Sequence, residues 1–304
     1  MRAAVFEKFG GPDVLHTQNV DEPHAGPGEV RVAVRAAGVN PMDWKIRHGW
    51  MEQLFSTRLP AVPGLEFAGV VDETGEGVTD MAVGDDVVGW TATGAYAQYA
   101  LTETVVPKPP SLGWEEAAAI PVAGETARRV LDQLALRRGE TLLLHGAAGA
   151  VGSVAVQLAV ARGATVIGTA SPANHDYLRS LGAVPVAYGE GLVERVRAVA
   201  PQGVDAVFDT AGRGALPDSI ELRGGTTDRI VTIADPAAAD HGVTFSSGVT
   251  APGRKRAALA ENVRLAAEGK LRLRVAGTFP LADAAKAQET SESGHASGKL
   301  VITP

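Results

Sequence analysis

Between residues 141 and 161 an apolar run, Thr141-Leu142-Leu143-Leu144-His145, passes through Gly146-Ala147-Ala148-Gly149-Ala150-Val151-Gly152 into a second apolar run. The first run reads as a buried strand and the second as a helix. A glycine at 149 lets the backbone approach an anionic group, and one at 152 lets the helix lie close on the strand. The helix N-terminus adds unpaired N–H groups and the positive end of its dipole. The turn is thus a variant of the dinucleotide fingerprint, with Ala147 at the first glycine position. Close strand–helix packing alone would also select glycine; the buried strand before it and the apolar helix after it favour the cofactor reading. No Gly-Lys-Ser/Thr follows the turn, so a nucleoside-triphosphatase loop is rejected.

The surrounding pattern supports the same architecture. From residue 120 onward strands are predicted at 141–145, 165–169, 184–187, 206–209, 229–233 and 243–245. Helices are predicted at 125–134, 151–162, 174–181 and 192–200. Strand–helix alternation of this kind implies a parallel, doubly wound sheet. The first hundred residues read differently, as short strands (2–7, 29–37, 67–73, 85–90, 96–102) broken by Gly and Pro turns, which implies a partly closed β domain. A helix start is expected at Ser111, ahead of Glu115 and Glu116. Helices at 254–268 and near 282–289, with strands at 275–279 and 300–303, close the pattern. The expected fold class is α/β: residues 1–119 as a first substrate-shaping part, 120–248 as the Rossmann domain, and 249–304 returning to the substrate domain. All four tryptophans (Trp44, Trp50, Trp90, Trp114) precede the Rossmann half, which places the substrate in the β domain.

The end of the second Rossmann strand bears on which dinucleotide binds. An NAD site usually carries Asp or Glu there for the ribose 2′-OH. Here Thr165-Val166-Ile167-Gly168-Thr169-Ala170 leads into Ser171-Pro172-Ala173-Asn174-His175, with no carboxylate until Asp176. Small hydrogen-bonding groups and a histidine suit a 2′-phosphate, so the pattern favours NADPH. Ser171 is also a natural helix cap, and the two roles are compatible.

Charge and composition remove other classes. Net charge is −7, with Lys and Arg scattered, so no electrostatic footprint for nucleic acid or an anionic membrane is present. No signal peptide or membrane-spanning run is read, and the expected setting is soluble and cytoplasmic. The chain has no cysteine, which excludes disulfides, iron–sulfur clusters, thiolate zinc and a cysteine nucleophile.

Taken end to end, the chain resembles the quinone oxidoreductase branch of the medium-chain dehydrogenase/reductase superfamily. The blocks that carry the resemblance start with Phe6-Glu7-Lys8-Phe9-Gly10-Gly11-Pro12, Gly38-Val39-Asn40-Pro41-Met42-Asp43-Trp44-Lys45 and Pro63-Gly64-Leu65-Glu66-Phe67-Ala68-Gly69. They continue with Ile120-Pro121-Val122-Ala123-Gly124-Glu125-Thr126-Ala127, the turn above, Phe208-Asp209-Thr210-Ala211-Gly212 and Gly298-Lys299-Leu300-Val301. The resemblance implies a GroES-like, partly closed β-barrel domain beside the Rossmann sheet.

It also implies a set of cofactor contacts. Asn40 and Thr126 would sit beside the nicotinamide and its ribose, and Ala148, Gly149, Val151 and Gly152 would hold the pyrophosphate. Ser171, Asn174 and His175 would take the 2′-phosphate and Tyr188 the adenosine end, with Ile233, Phe245 and Lys299 as further contacts. Homodimers joined through edge strands are common in the family, here 243–245, which would also cover an exposed sheet edge.

The resemblance implies the ligand set of the superfamily's zinc-dependent alcohol dehydrogenases, which hold catalytic zinc with Cys, the His of a Gly-His-Glu block, and a second Cys. Here Asn40 stands at the first position, Leu65 replaces the histidine in Gly64-Leu65-Glu66, and Val122 lies near the third. No metal is expected. Without a Lewis acid, alcohol oxidation loses its main electrostatic help, leaving acceptors that are already electrophilic: quinones and α,β-unsaturated carbonyls. Trp44, Trp50 and Phe55 are candidates to shape the substrate site. His48 is a candidate proton donor or an ordinary loop histidine. Glu66 reads as structural, Asp43 as a turn or cap residue, and His145 as a satisfied core residue. Two other readings remain: an NADPH-binding structural or sensor protein with little turnover, and a pathway-specific enoyl reductase.

Overall fold

The computed structural model describes residues 1–54, 56–91, 93–248, 251–294 and 296–304. The chain divides into two compact units, Met1–Val122 with Pro252–Pro304, and Ala123–Ala251.

The second unit is built on a six-stranded sheet, parallel throughout. Its strand order is Val184–Val186, Thr165–Thr169, Thr141–His145, Ala206–Asp209, Ile230–Thr232, Thr244–Phe245. Numbered within the unit, that order is 3-2-1-4-5-6, the doubly wound arrangement in which the chain reverses direction across the sheet at its first strand. The three central strands Thr141–His145, Ala206–Asp209 and Ile230–Thr232 are buried along their whole length. That is the pattern of parallel strands covered on both faces. Leu143, Ile167, Val196, Val207, Leu216 and Ile230 share one core cluster.

The first unit centres on the ten-residue strand Val30–Val39. It pairs antiparallel with Glu66–Thr74, Tyr99–Thr102 and Lys299–Thr303. Its burial alternates up to Val34, then is continuous from Ala36 to Val39. The half-exposed segment pairs with Tyr99–Thr102, and the buried segment leads into Asn40. Val275–Pro280 lies parallel to Lys299–Thr303 at one side, while Asp86–Trp90 and Thr104–Pro107 extend the other.

Several local features differ from the sequence pattern. A seven-residue helix, Pro41–Arg47, follows Asn40, with proline in its first turn, where a missing N–H is harmless. It is too short for a helical period to show. The helix expected from Ser111 begins at Trp114, where Glu116 Oε2 accepts from the Gly113 N–H at 3.4 Å. The helix expected from 125 already begins at Ile120. The residues after Ser171 form a 3₁₀ turn, Pro172–Asn174, before the helix His175–Ser180. Among the described residues no helix is long and apolar enough to cross a membrane.

Candidate functional site

In the second unit the glycine turn is held from both sides. The Gly146 N–H donates to Thr169 Oγ1 at 3.3 Å, and the Thr210 hydroxyl donates to the His145 carbonyl at 2.8 Å. Gly146 has φ +71°, a left-handed conformation that favours glycine. At Gly152 an added Cβ would overlap the Gly146 carbonyl oxygen and lie 2.8 Å from Ala147 Cα. Only glycine lets the helix Ala150–Ala161 approach the strand this closely. Gly149 caps that helix in extended geometry. The first N–H groups of a helix have no carbonyl one turn back, so they are available to an anion. Ala148 and Gly149 thus lie in the turn, and Val151 and Gly152 in the first turn of the helix that follows it.

Beneath the turn His145 is buried and satisfied. Its Nε2 lies 2.9 Å from Ser219 Oγ, whose hydroxyl donates to the Ala215 carbonyl at 2.6 Å, so the ring nitrogen is the donor. Nδ1 faces Thr169 Oγ1 at 3.4 Å. Burial holds the imidazole below its ordinary pKa, which keeps it neutral. Asp209 sits at the end of the neighbouring strand and accepts from the Ala211 and Gly212 N–H groups and the Thr232 hydroxyl.

At the end of Thr165–Thr169, Ser171, Asn174 and His175 form a local group. Asn174 Nδ2 donates to Ser171 Oγ at 3.1 Å, and His175 Nε2 lies 3.3 Å from the Ala170 carbonyl. Ser171 precedes the 3₁₀ turn without a side-chain cap bond. Tyr188 is 64% exposed in the loop after Val184–Val186, and Phe245 is 47% exposed on the edge strand. Ile233 donates its N–H to the Asp209 carbonyl. Thr126 is buried on the helix Ile120–Gln133, one residue after Glu125, which pairs with Arg129 at 3.0 Å.

In the first unit the strand registers assemble a buried polar cluster. Leu300 pairs with Val39, which sets Lys299 beside Asn40, and Phe67 pairs with Ala37, which sets Glu66 beside Gly38. An added Cβ on Gly38 would overlap the Glu66 carboxylate, so glycine there opens the path by which Glu66 reaches its partners. Asn40 Nδ2 donates to Glu66 Oε1 at 2.8 Å, and the Lys299 ammonium donates to Asn40 Oδ1 at 2.6 Å. Lys299 and Glu66 form an ion pair, and the Val122 N–H donates to Glu66 Oε2 at 2.7 Å. Lys299, which the family resemblance places among the cofactor contacts, has its ammonium committed to Asn40 and Glu66 and is only 2% exposed. The Asn40 side chain, instead of capping the helix it precedes, turns to these charged partners. The helix start is served by Asp43, whose Oδ2 accepts from the Asn40 N–H at 2.8 Å and from the Tyr96 hydroxyl at 2.8 Å. Burial pushes the Asp43 carboxyl up to about 7, against the lowering effect of those two hydrogen bonds.

Trp44, His48 and Trp50 gather on and just after the helix Pro41–Arg47. His48 stacks on Trp50 with ring centroids 4.7 Å apart, and Trp44 meets Trp50 edge-on at 5.7 Å. The His48 ring is not unengaged: Nε2 lies 2.8 Å from Glu292 Oε1, and Arg47 binds the same carboxylate at 2.9 Å. Phe55 lies outside the described residues.

The donor set does not suit zinc. Asn40 and Leu65 occupy two of the family's ligand positions, and the chain offers no thiolate. Among the described residues no three His, Asp or Glu side chains come together as a metal would need. The glycine turn and the carboxylate-free end of the second strand do suit a dinucleotide carrying a 2′-phosphate.

Comparison with known proteins gives consistent matches. Residues 26–111 match the alcohol dehydrogenase GroES-like domain, and residues 181–302 match the zinc-binding dehydrogenase family. The 2-haloacrylate reductase of Burkholderia sp is 34% identical over 99% of this chain and 98% of its own length. The chloroplastic NADPH-dependent alkenal/one oxidoreductase of Arabidopsis thaliana is 32% identical over the whole chain and 80% of the relative. The synaptic vesicle membrane protein VAT-1 homolog of Rattus norvegicus is 38% identical over 70% of the chain, which spans 54% of that relative. Among solved structures, the quinone oxidoreductase from Coxiella burnetii superposes with a TM-score of 0.89 at 31% identity, covering 100% of this chain and 99% of that one. The Escherichia coli quinone oxidoreductase complexed with NADPH gives 0.86 at 28% identity, with both chains fully covered.

Proposed function

The chain belongs to the quinone oxidoreductase branch of the medium-chain dehydrogenase/reductase superfamily, and from that premise we propose that it reduces quinones or α,β-unsaturated carbonyl compounds with NADPH and without zinc. NADPH, when bound, supplies the hydride. The N–H groups of the 148–152 turn bind the pyrophosphate, and Ser171, Asn174 and His175 bind the 2′-phosphate. Tyr188, Ile233, Phe245 and Thr126 complete the cofactor contacts. Trp44 and Trp50 offer flat apolar faces to a planar acceptor.

The observation that carries the reading is the state of Asn40. One of its two Nδ2 hydrogens is given to Glu66, and the other remains to donate to the acceptor's carbonyl oxygen. Reduction of an enone or quinone develops negative charge on that oxygen, and a pre-oriented donor stabilises it where zinc would act in other members. The subsequent proton is assigned to solvent; His48 pairs with Glu292 and stacks on Trp50. A homodimer paired through the edge strand Thr244–Phe245, working in the cytoplasm, is part of the proposal; the exposure of Phe245 at that edge supports the pairing.

The test is a substrate panel scored by NADPH oxidation. Consumption is expected with quinones or enones and not with NADP⁺ plus simple alcohols. Tight NADPH binding with every acceptor inert would favour a binding protein instead, and robust alcohol oxidation alone would overturn the reading.

A further inference from the structure

Asn40, Glu66 and Lys299 come from three strand ends brought together by register, and each is at least nine-tenths buried. A carboxamide has two orientations, nearly equal in shape and opposite in hydrogen-bonding sense. With Oδ1 toward the Lys299 ammonium and Nδ2 toward the Glu66 carboxylate, both contacts are charge-assisted. The flipped amide would set donor against donor at Lys299 and acceptor against acceptor at Glu66. Glu66 is itself held, since Oε2 takes the Val122 N–H, and the missing side chain at Gly38 leaves room for its carboxylate.

We infer that Lys299 and Glu66 are positioning residues that lock the Asn40 carboxamide with its remaining N–H available to the reacting carbonyl. This rests on the proposed reductase activity for its catalytic meaning, but the lock itself is a property of the free protein. The ion pair supplies opposite charges on opposite sides of one neutral amide, so it polarises and orients the amide while leaving the cluster without net charge. Neither partner touches substrate in this scheme; both act through Asn40.

The experiment compares wild type, Lys299→Met and the double variant Glu66→Gln with Lys299→Met. Lys299→Met leaves a buried carboxylate without its counter-ion, so it should lower stability as well as rate. The double variant removes both charges and should regain stability. Its new carboxamide at position 66 keeps its oxygen on the Val122 N–H, however, and so turns a donor to Asn40, which no longer favours the orientation set by the charged pair. Enone reduction at saturating NADPH should fall roughly tenfold to hundredfold in kcat in both variants, part of the full effect of losing one oxyanion donor. NADPH affinity should be little changed, because the phosphates are held by other residues.

The second readout needs no turnover. In the folded wild-type protein the Asn40 side-chain amide should give two distinct proton signals in a ¹⁵N correlation spectrum, one of them slow to exchange with solvent. In both variants that proton should exchange faster. A double variant with wild-type kcat would overturn the inference and leave the pair a structural one. Rapid exchange of both Asn40 amide protons in wild type would overturn it too. If wild type reduces no quinone or enone, the functional reading fails while the amide spectrum still judges the lock.

Discussion

Tyr96 sets its hydroxyl 2.8 Å from Asp43 Oδ2, the same oxygen that takes the Asn40 N–H at 2.8 Å. One buried carboxyl thereby joins the start of the helix Pro41–Arg47 to the residue proposed to polarise the substrate. Burial also raises that carboxyl from 3.8 to about 7 in the folded chain.

The unfolded chain ionises Asp43 near 3.8 and the folded chain only near 7, so the folded state holds an extra proton between those values. The stability from this group is full below the lower value and is lost as pH rises through the upper one, with a slope of at most about 1.4 kcal/mol per pH unit. Asp43→Asn carries no such proton. Urea unfolding from pH 4 to 7.5 should show the variant gaining on wild type as pH rises. Parallel profiles for the two proteins would contradict the assignment.

Gly152→Ala tests the cradle. The new methyl group would meet backbone at Gly146 and Ala147, and neither can move without displacing the turn. NADPH affinity should fall by at least about tenfold, an energy of roughly 1.4 kcal/mol, and stability should fall with it. Gly253→Ala is the control, since nothing lies within 4 Å of a Cβ there. Unchanged calorimetric affinity in folded Gly152→Ala would move the pyrophosphate elsewhere.

How much of this was legible in the sequence depends on the distance over which each feature is encoded. The glycine turn is local: Gly149, Gly152 and the apolar runs on either side lie within a score of residues, and the runs form the strand Thr141–His145 and the helix Ala150–Ala161. The buried triad is not local. Glu66 is 26 residues from Asn40, and Lys299 is 259 away. Only the antiparallel registers reveal that they meet, so Glu66 reads from sequence as merely structural and Lys299 as a cofactor contact. The one available signal was Gly38, whose missing side chain admits Glu66. The helix Pro41–Arg47 escaped for another reason. Seven residues span too few turns for periodicity, although Asn40-Pro41 is a recognisable start.

Ser171→Asp tests cofactor choice. The 2′-phosphate carries about −1.5 to −2 charges near neutral pH, by analogy with other phosphate monoesters. A hydrogen bond to a charged group contributes roughly 1.5–3 kcal/mol, or about tenfold to a hundredfold in affinity. Wild type should therefore bind NADPH at least about tenfold more tightly than NADH, and the variant should lose or reverse that preference. The aspartate can still serve the chain turn at Pro172, so the fold should persist. Equal affinities in wild type, or unchanged NADPH binding in the variant, would show that the phosphate sits away from Ser171.

Reduction of an activated acceptor is proposed for a chain whose residues do not make a zinc site. The deciding measurement is enone- and quinone-dependent NADPH oxidation on protein treated with a strong chelator, with zinc counted by elemental analysis in the same sample. No stoichiometric zinc is expected, and a rate unchanged by the chelator that falls about a hundredfold when Asn40→Ala removes the carboxamide donor. One tightly held zinc per chain, with activity that disappears on chelation and returns with the metal, would contradict it.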